Sequence, residues 1–329
     1  MKHKQFLFIL FSFIIITSCT TSPHTKNKTS SAGATSEVLV VMNKSFWENA
    51  PGQAVKDYLG QFQYGLNQNQ PIFKLVNIPE SSLNDMYKKH RNLLWLDVNN
   101  SNNNSFELKK DVWGAPQKVF KFSVKTENDF LSLFEKNKIT IMEGFKDSER
   151  ERINNAFALS AKIEYKHKLD ALFGFHLIFP EGFFWAIEKS NFLWVRKETR
   201  SFSQAVVIYT KPYIDTTDLS LESLISFRDT MVRNIPGTEE NSYMSTETGV
   251  MPQYKTINFK NMYAVELRGF WKQKGGGFMG GPFLSYSFVD ENTGRLICLE
   301  AYVQYPNEDK RDLLLQIESI LHTFEFTQK

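Results

Sequence analysis

An α+β fold is predicted for this chain, an N-terminal α/β-type domain followed by an antiparallel-sheet α/β sandwich, and three observations predict it. Residues 38–124 alternate strand-like with helix-like runs, the arrangement that puts helices on the faces of a sheet. Beyond Phe173 the pattern changes to short strand-like segments separated by turn residues, with one helix before the last four of them and one after. Hydrophobic residues make up 42% of the 329 and aromatics 14%, enough for packed cores and too much for a disordered chain.

Order begins at Val38-Leu39-Val40-Val41-Met42, a continuous apolar run that reads as a buried strand. Val55, Tyr58, Leu59, Phe62 and Leu66 then recur at helical spacing, and Ile72 to Ile78 forms a second strand ended by Pro79. Ser82 followed by Asp85 signals a helix start, with Leu83, Met86, Tyr87 and His90 on one face. Leu93 to Val98 is a third strand, and strand-like segments continue past an Asn/Ser-rich loop to Val124. Two further helix starts, Thr126 with Asp129 and Ser148 with Glu151, lead toward Leu172.

In the second half, Phe175 to Pro180, Phe183 to Lys189, Phe192 to Lys197 and Ala205 to Thr210 read as short strands. A helix carries Leu221, Leu224, Ile225, Arg228 and Val232 and is closed by Pro236-Gly237. Gln253 to Asn258, Met262 to Trp271, Phe283 to Val289 and Arg295 to Val303 follow as antiparallel strands. Leu313, Ile317, Ile320 and Leu321 mark a last helix, and Phe324-Glu325-Phe326 a last strand.

The N-terminus addresses the chain. Lys2 and Lys4 form a basic head, Phe6 to Ile16 an apolar run broken only by Ser12, and Thr17-Ser18-Cys19 follows. That run makes about 16 Å of helix, too short for a bilayer core of about 30 Å. It resembles a bacterial lipoprotein signal with a relaxed lipobox, Ile16-Thr17-Ser18-Cys19, which implies removal of residues 1–18 and acylation of Cys19. Residues 19–36 then read as the acylated cysteine and a flexible polar tether, 37–165 as the N-terminal α/β domain, and 166–329 as the C-terminal sandwich. The expected partner is therefore the membrane, through the lipid on Cys19. Thr20-Thr21-Ser22-Pro23 lack the acidic pair that follows the cysteine in many surface-exported lipoproteins of this kind, so the resemblance implies the periplasmic face of the outer membrane.

Charge and cysteine content narrow the functional classes. Formal charge is +3, of which Lys2 and Lys4 supply two, leaving +1 without the signal and no electrostatic basis for nucleic-acid binding. With Cys19 acylated, Cys298 alone remains, so no intramolecular disulfide forms; its strand setting reads as a small buried hydrophobe. The six histidines, His3, His24, His90, His167, His176 and His322, show no metal-binding spacing, and His90 and His176 read as half-buried groups with backbone partners. No cofactor motif is present.

Two local compositions invite a functional reading. Gly275-Gly276-Gly277-Phe278-Met279-Gly280-Gly281-Pro282 lies between strands and lacks the following helix and Lys-Ser/Thr of a phosphate loop. It reads as a long hairpin connection or as a mobile loop that offers Phe278 and Met279 to an envelope protein partner, a lipid or an apolar ligand. The aromatic cluster Phe183, Phe184, Trp185, Phe192 and Trp194 reads either as a carbohydrate platform or, more simply, as sheet core plus one outer face. Glu181, Glu188 and Glu198 lie near it in sequence, but spacing does not show whether any two converge.

The order of strands and helices in the second half is similar to the α/β sandwich of the PsbP and Mog1 families, with Pro180-Glu181-Gly182-Phe183 at an early strand end and His322-Thr323-Phe324 at the exit of the closing helix. The whole chain resembles a Bacteroidetes lipoprotein family, domain-of-unknown-function family 4837, through the Cys19 signal, Asp111-Val112-Trp113-Gly114-Ala115-Pro116-Gln117 and Asn191-Phe192-Leu193-Trp194-Val195-Arg196-Lys197-Glu198. This resemblance implies location and architecture, and no catalytic residue. The functional expectation is a lipid-anchored envelope protein with a binding or assembly role in the periplasm. The alternative is a hydrolase acting on envelope glycan or lipid.

Overall fold

The computed structural model describes residues 29–99 and 103–327. The signal and Cys19 lie outside them. The first half is built on a five-stranded sheet in the order β2-β1-β3-β5-β4, with β1 at Glu37–Val41, β2 at Lys74–Ile78, β3 at Asn92–Val98, β4 at Ser105–Lys110 and β5 at Lys118–Val124. All neighbours are parallel except β4, an antiparallel edge. Burial on both faces explains why β1 is one continuous apolar run.

Four helices accompany this sheet: α1 at Lys44–Trp47, α2 at Ala50–Leu59, α3 at Asp85–Lys88 and α4 at Glu127–Ala158. On one face Val55 and Leu59 of α2 and Phe130, Phe134, Ile141 and Phe145 of α4 pack on Val38, Val40, Phe120 and Phe122. Gly144 permits the close approach of α4, since a Cβ there would lie 2.5 Å from the Phe120 ring.

The second half contains α5 at Ile163–Phe173, β6 at Phe175–His176, β7 at Phe184–Lys189, β8 at Phe192–Glu198, β9 at Ser203–Pro212, α6 at Leu221–Val232, β10 at Tyr243–Thr246, β11 at Gln253–Phe259, β12 at Met262–Lys274, β13 at Gly280–Asp290, β14 at Arg295–Gln304, α7 at Arg311–Leu321 and β15 at Glu325–Phe326. Eight of these strands form an antiparallel sheet, β10-β12-β13-β14-β9-β8-β7, with β11 also paired to β12; β15 pairs with β6. Alternate residues go to opposite faces. Val206, Ile208, Leu284, Leu299 and Ala301 meet Leu314, Ile317 and Leu321 of α7, while Val207, Tyr209, Val265 and Cys298 meet Leu224, Met231 and Val232 of α6. The expected α+β class, with an N-terminal α/β region before an antiparallel sheet, is the class observed.

Several boundaries differ from expectation. Helix α2 ends at Leu59, so Phe62 is 61% exposed and Leu66 leaves for the core of the second half. Asn84, not Ser82, caps α3, accepting from the backbone N–H of Met86 and of Tyr87 at 3.1 Å each, and that helix is a single turn. The Thr126–Asp129 capping box forms, but Ser148 is buried within α4 and starts nothing; the first helix runs 32 residues and the break before the second, α5, comes at 159–162 instead. Strand β10 had no signal in the sequence beyond four residues of mixed polarity.

The polar stretch read as a tether is anchored from residue 29 onward. Ala115 N donates to Thr29 O at 3.0 Å, Ala32 N to Lys89 O at 2.8 Å and Arg91 N to Ala32 O at 2.9 Å. Composition misleads here because an irregular stretch held by backbone pairing needs no apolar side chains.

Candidate functional site

The two halves meet along α4 and α7, and beside that seam lies an open cleft of about 700 Å³. Its walls come from α4, α7, β11, β12 and β13. Glu143, Asp147, Arg150 and Asn154 stand at i, i+4, i+7 and i+11 of α4, one helical face. Glu318 and His322 stand four apart at the end of α7, and Glu266 and Arg268 two apart on β12, so each pair shares a side. Tyr286 of β13 is the register partner of Glu266.

These groups converge on Glu318. Its Oε1 accepts from Arg268 Nη2 at 2.9 Å and from the Tyr286 hydroxyl at 2.7 Å, and Arg150 Nη1 lies 3.6 Å away. Arg268 Nη2 also donates to Glu266 Oε2 at 2.9 Å, and Arg150 Nη2 to Asp147 Oδ1 at 2.7 Å. His322 Nε2 lies 3.4 Å from the Tyr286 oxygen. Burial alone would raise the Glu318 carboxyl, but Arg268 and Arg150 override it and bring it to about 2. Burial, reinforced by Arg150, brings the His322 imidazole down to about 3, and burial followed by Glu318 pushes the Tyr286 phenol up. At neutral pH the floor is thus an ionised carboxylate between two guanidinium groups, flanked by a neutral imidazole and a neutral phenol.

On the opposite rim, Lys255 of β11 and Lys260 of the following turn have no carboxylate within ion-pair distance among the described residues. They leave the cleft with two uncommitted cations. Among the described residues no three histidine, cysteine, aspartate or glutamate side chains converge as a metal site, and no helix is long and apolar enough to cross a membrane.

The residues singled out by sequence lie elsewhere. Phe278 is fully exposed, but Met279 is half-buried against Trp271 and its neighbours on the α6 face, so only one of the pair is free. The loop itself is held: Gln273 N donates to Met279 O at 2.8 Å, and the Gln273 side-chain amide bonds Gly276 O. Its glycines have structural reasons. Gly275, Gly276 and Gly277 have φ of 90°, 120° and 72°, and a Cβ at Gly281 would lie 2.1 Å from Val303 O. The aromatic cluster divides as alternation requires: Phe183 in the α7-side core, Phe192 and Trp194 in the α6-side core, Phe184 exposed. Of its neighbouring carboxylates, Glu188 accepts from Trp185 Nε1 at 2.7 Å and Glu198 pairs with Arg196 at 2.7 Å. Cys298 is buried on β14, 3.1 Å from Ser287 Oγ, with burial pushing its thiol up to about 12. His90 has the expected backbone partner, Asn92 O at 3.1 Å, and also the Glu37 carboxylate at 2.9 Å; His176 is paired with the Asp170 carboxylate at 2.9 Å, and both rings are buried rather than half-buried.

Residues 160–323 match the family model described as Domain of unknown function (DUF4837). Residues 31–158 match a different one, Domain of unknown function (DUF8532). The Asn191–Glu198 motif thus falls inside the first match, while Asp111–Gln117 falls inside the second, which corrects the reading of one family along the whole chain. No curated protein matches the chain. Among solved structures it is similar to the Ran-binding protein Mog1p of Saccharomyces cerevisiae, at 9% identity over 47% of this chain and 91% of that one with a TM-score of 0.32. It is also similar to LpqN of Mycobacterium tuberculosis, described as involved in cell envelope biogenesis, at 14% identity over 47% of this chain and 83% of that one with a TM-score of 0.28.

Proposed function

We propose that this protein is a binding or assembly module of the bacterial cell envelope, of the Bacteroidetes lipoprotein kind its motifs resemble, held by a lipid on Cys19 at the periplasmic face of the outer membrane. The observation that carries the binding role is the state of the cleft between the halves. Glu318, its central carboxylate, is held by Arg268 and Tyr286 beside Arg150, which occupies its accepting oxygen and keeps it ionised, so it is poorly placed for the general-acid step a glycan hydrolase needs. Lys255 and Lys260 instead offer charge to a partner or ligand entering from the rim. Anchoring rests on the sequence of the first nineteen residues. From Cys19 to Thr29 the chain can extend at most about 35 Å, which keeps the folded body next to the membrane.

A photo-cross-linking amino acid placed at Lys260, in the full chain and in intact cells, tests this reading. It should give one discrete adduct, whereas the same probe at Ile139, exposed on α4, should give none. Cys19→Ala should move the protein out of the carbonate-washed membrane fraction. Retention of that variant in the membrane would overturn the anchor. Soluble products released from isolated envelopes by the purified protein, and abolished by Glu318→Gln, would replace binding with hydrolysis.

A further inference from the structure

A second concavity, of about 690 Å³, lies at the end of the eight-stranded sheet where the β11–β12 turn, the β13–β14 turn and the Tyr213–Ser220 segment meet. That volume is within the usual range of small-ligand sites. We propose that this groove binds a short neutral saccharide, a function beyond the cleft and independent of it.

The lining selects the ligand class. Tyr263 is 60% exposed and Tyr254 37%, and both line the groove, so a pair of rings faces solvent there. Tyr254 is fixed from behind by donating its hydroxyl to Leu219 O at 3.1 Å. Flat aromatic rings complement the axial C–H face of a pyranose, which is apolar while its edge is hydroxylated. Around the rings stand the amides of Asn261 and Asn292, whose side chains bond no other group among the described residues; each offers two donors and an acceptor to a vicinal diol.

Charge excludes the alternatives. No lysine or arginine lines the groove, so nothing there neutralises a phosphate or carboxylate. Asp290 is occupied by Thr293, by the Asn292 backbone N–H at 3.1 Å and by Arg295 at 3.3 Å, which leaves Glu291 at the rim as the remaining acid. A lining rich in uncharged hydrogen-bonding groups is likewise a poor match for a purely apolar segment.

The test is isothermal titration of the full chain with tri-N-acetylchitotriose and with maltotriose, both neutral, which separates an amino-sugar glycan from a glucan as the source of the ligand. Saturable binding of at least one is expected, weakened at least tenfold by Tyr263→Ala and severalfold by Asn292→Ala, retained by Tyr263→Trp, and unchanged by Ile139→Ala on the exposed side of α4. Because the Tyr263 ring is mostly exposed, Tyr263→Ala should keep its thermal midpoint, so lost binding would not reflect lost folding. Failure of both sugars to saturate at about 10 mM, far weaker than a useful site, would overturn the proposal, as would an unchanged affinity in Tyr263→Ala.

Discussion

Arg228 meets Glu300 behind α6, and Arg268 meets Glu318 at the floor of the cleft. Both pairs are buried, but their surroundings give the two carboxylates opposite character. Glu300 is 0% exposed and has one guanidinium, which it binds through both oxygens, from Arg228 Nε at 3.0 Å and Nη2 at 2.7 Å, plus the Tyr209 hydroxyl at 3.0 Å. Burial outweighs that help, and its carboxyl is pushed up. Glu318 is similarly enclosed but stands between two arginines, one from each half of the chain, and is pulled down to about 2. A single cation does not offset the loss of water around a carboxylate; a second one does, and here it comes from across the domain seam. The first pair is therefore a lock within one sheet-and-helix layer. The second is a connection between halves at the floor of an open cleft.

The largest effect should come from breaking the sealed pair. Arg228→Met leaves Glu300 without a cation and should cost about 3–5 kcal/mol in urea unfolding; a loss below about 1 kcal/mol would show that Glu300 is already neutral in the fold. Arg150→Met should cost less, about 1–2 kcal/mol, because Arg268 and Tyr286 still hold Glu318. Equal losses in the two variants would erase the distinction between lock and connection.

Acid sharpens the comparison. The His322 imidazole falls from its usual 6.5 to about 3 in the fold, so between those values the unfolded chain binds the extra proton. Stability from this group is complete above about pH 6.5 and is lost as pH falls toward 3. His322→Gln should flatten the stability profile in that window, measured by chemical denaturation from pH 7 down to about 4. A profile that keeps its slope would mean another group is responsible.

The smallest effects concern the glycine loop. Phe278→Ser should change stability by no more than about 0.5 kcal/mol, whereas Met279→Ser should cost about 1 kcal/mol for the apolar area it stops burying. Identical behaviour would show that the loop does not distinguish the two side chains.

Much of the architecture was legible because it is written in periodicity. Val38 to Met42 is apolar throughout because β1 is covered on both faces, and residues 262–303 alternate because β12, β13 and β14 each serve two cores. The cleft was not legible, since Arg150, Arg268 and Glu318 come from three elements far apart in sequence and meet only after the halves pack. One signal was available: charged residues sit where an apolar stripe should continue. Arg150 falls eight residues after Met142, and Glu318 four after Leu314, both on the buried side of their helices. Charge at such a position marks a neighbour of opposite charge rather than solvent. The end of α2 was missed because the spacing of Phe62 and Leu66 matches a helix although Gly60 stops it and Leu66 belongs to the other core.

The claim that most needs a direct measurement is that Glu318 is held ionised by an arginine from each half. Carbon-13 NMR of the side-chain carboxyl of Glu318, followed through an acid titration of the full chain, reads it without mutation. The midpoint should lie at about 2, with the signal unchanged through the range where an ordinary glutamate titrates around 4.5. A midpoint at 4.5 or above would show that Arg150 and Arg268 do not hold the charge, and would return Glu318 to the candidates for a proton-donating catalyst.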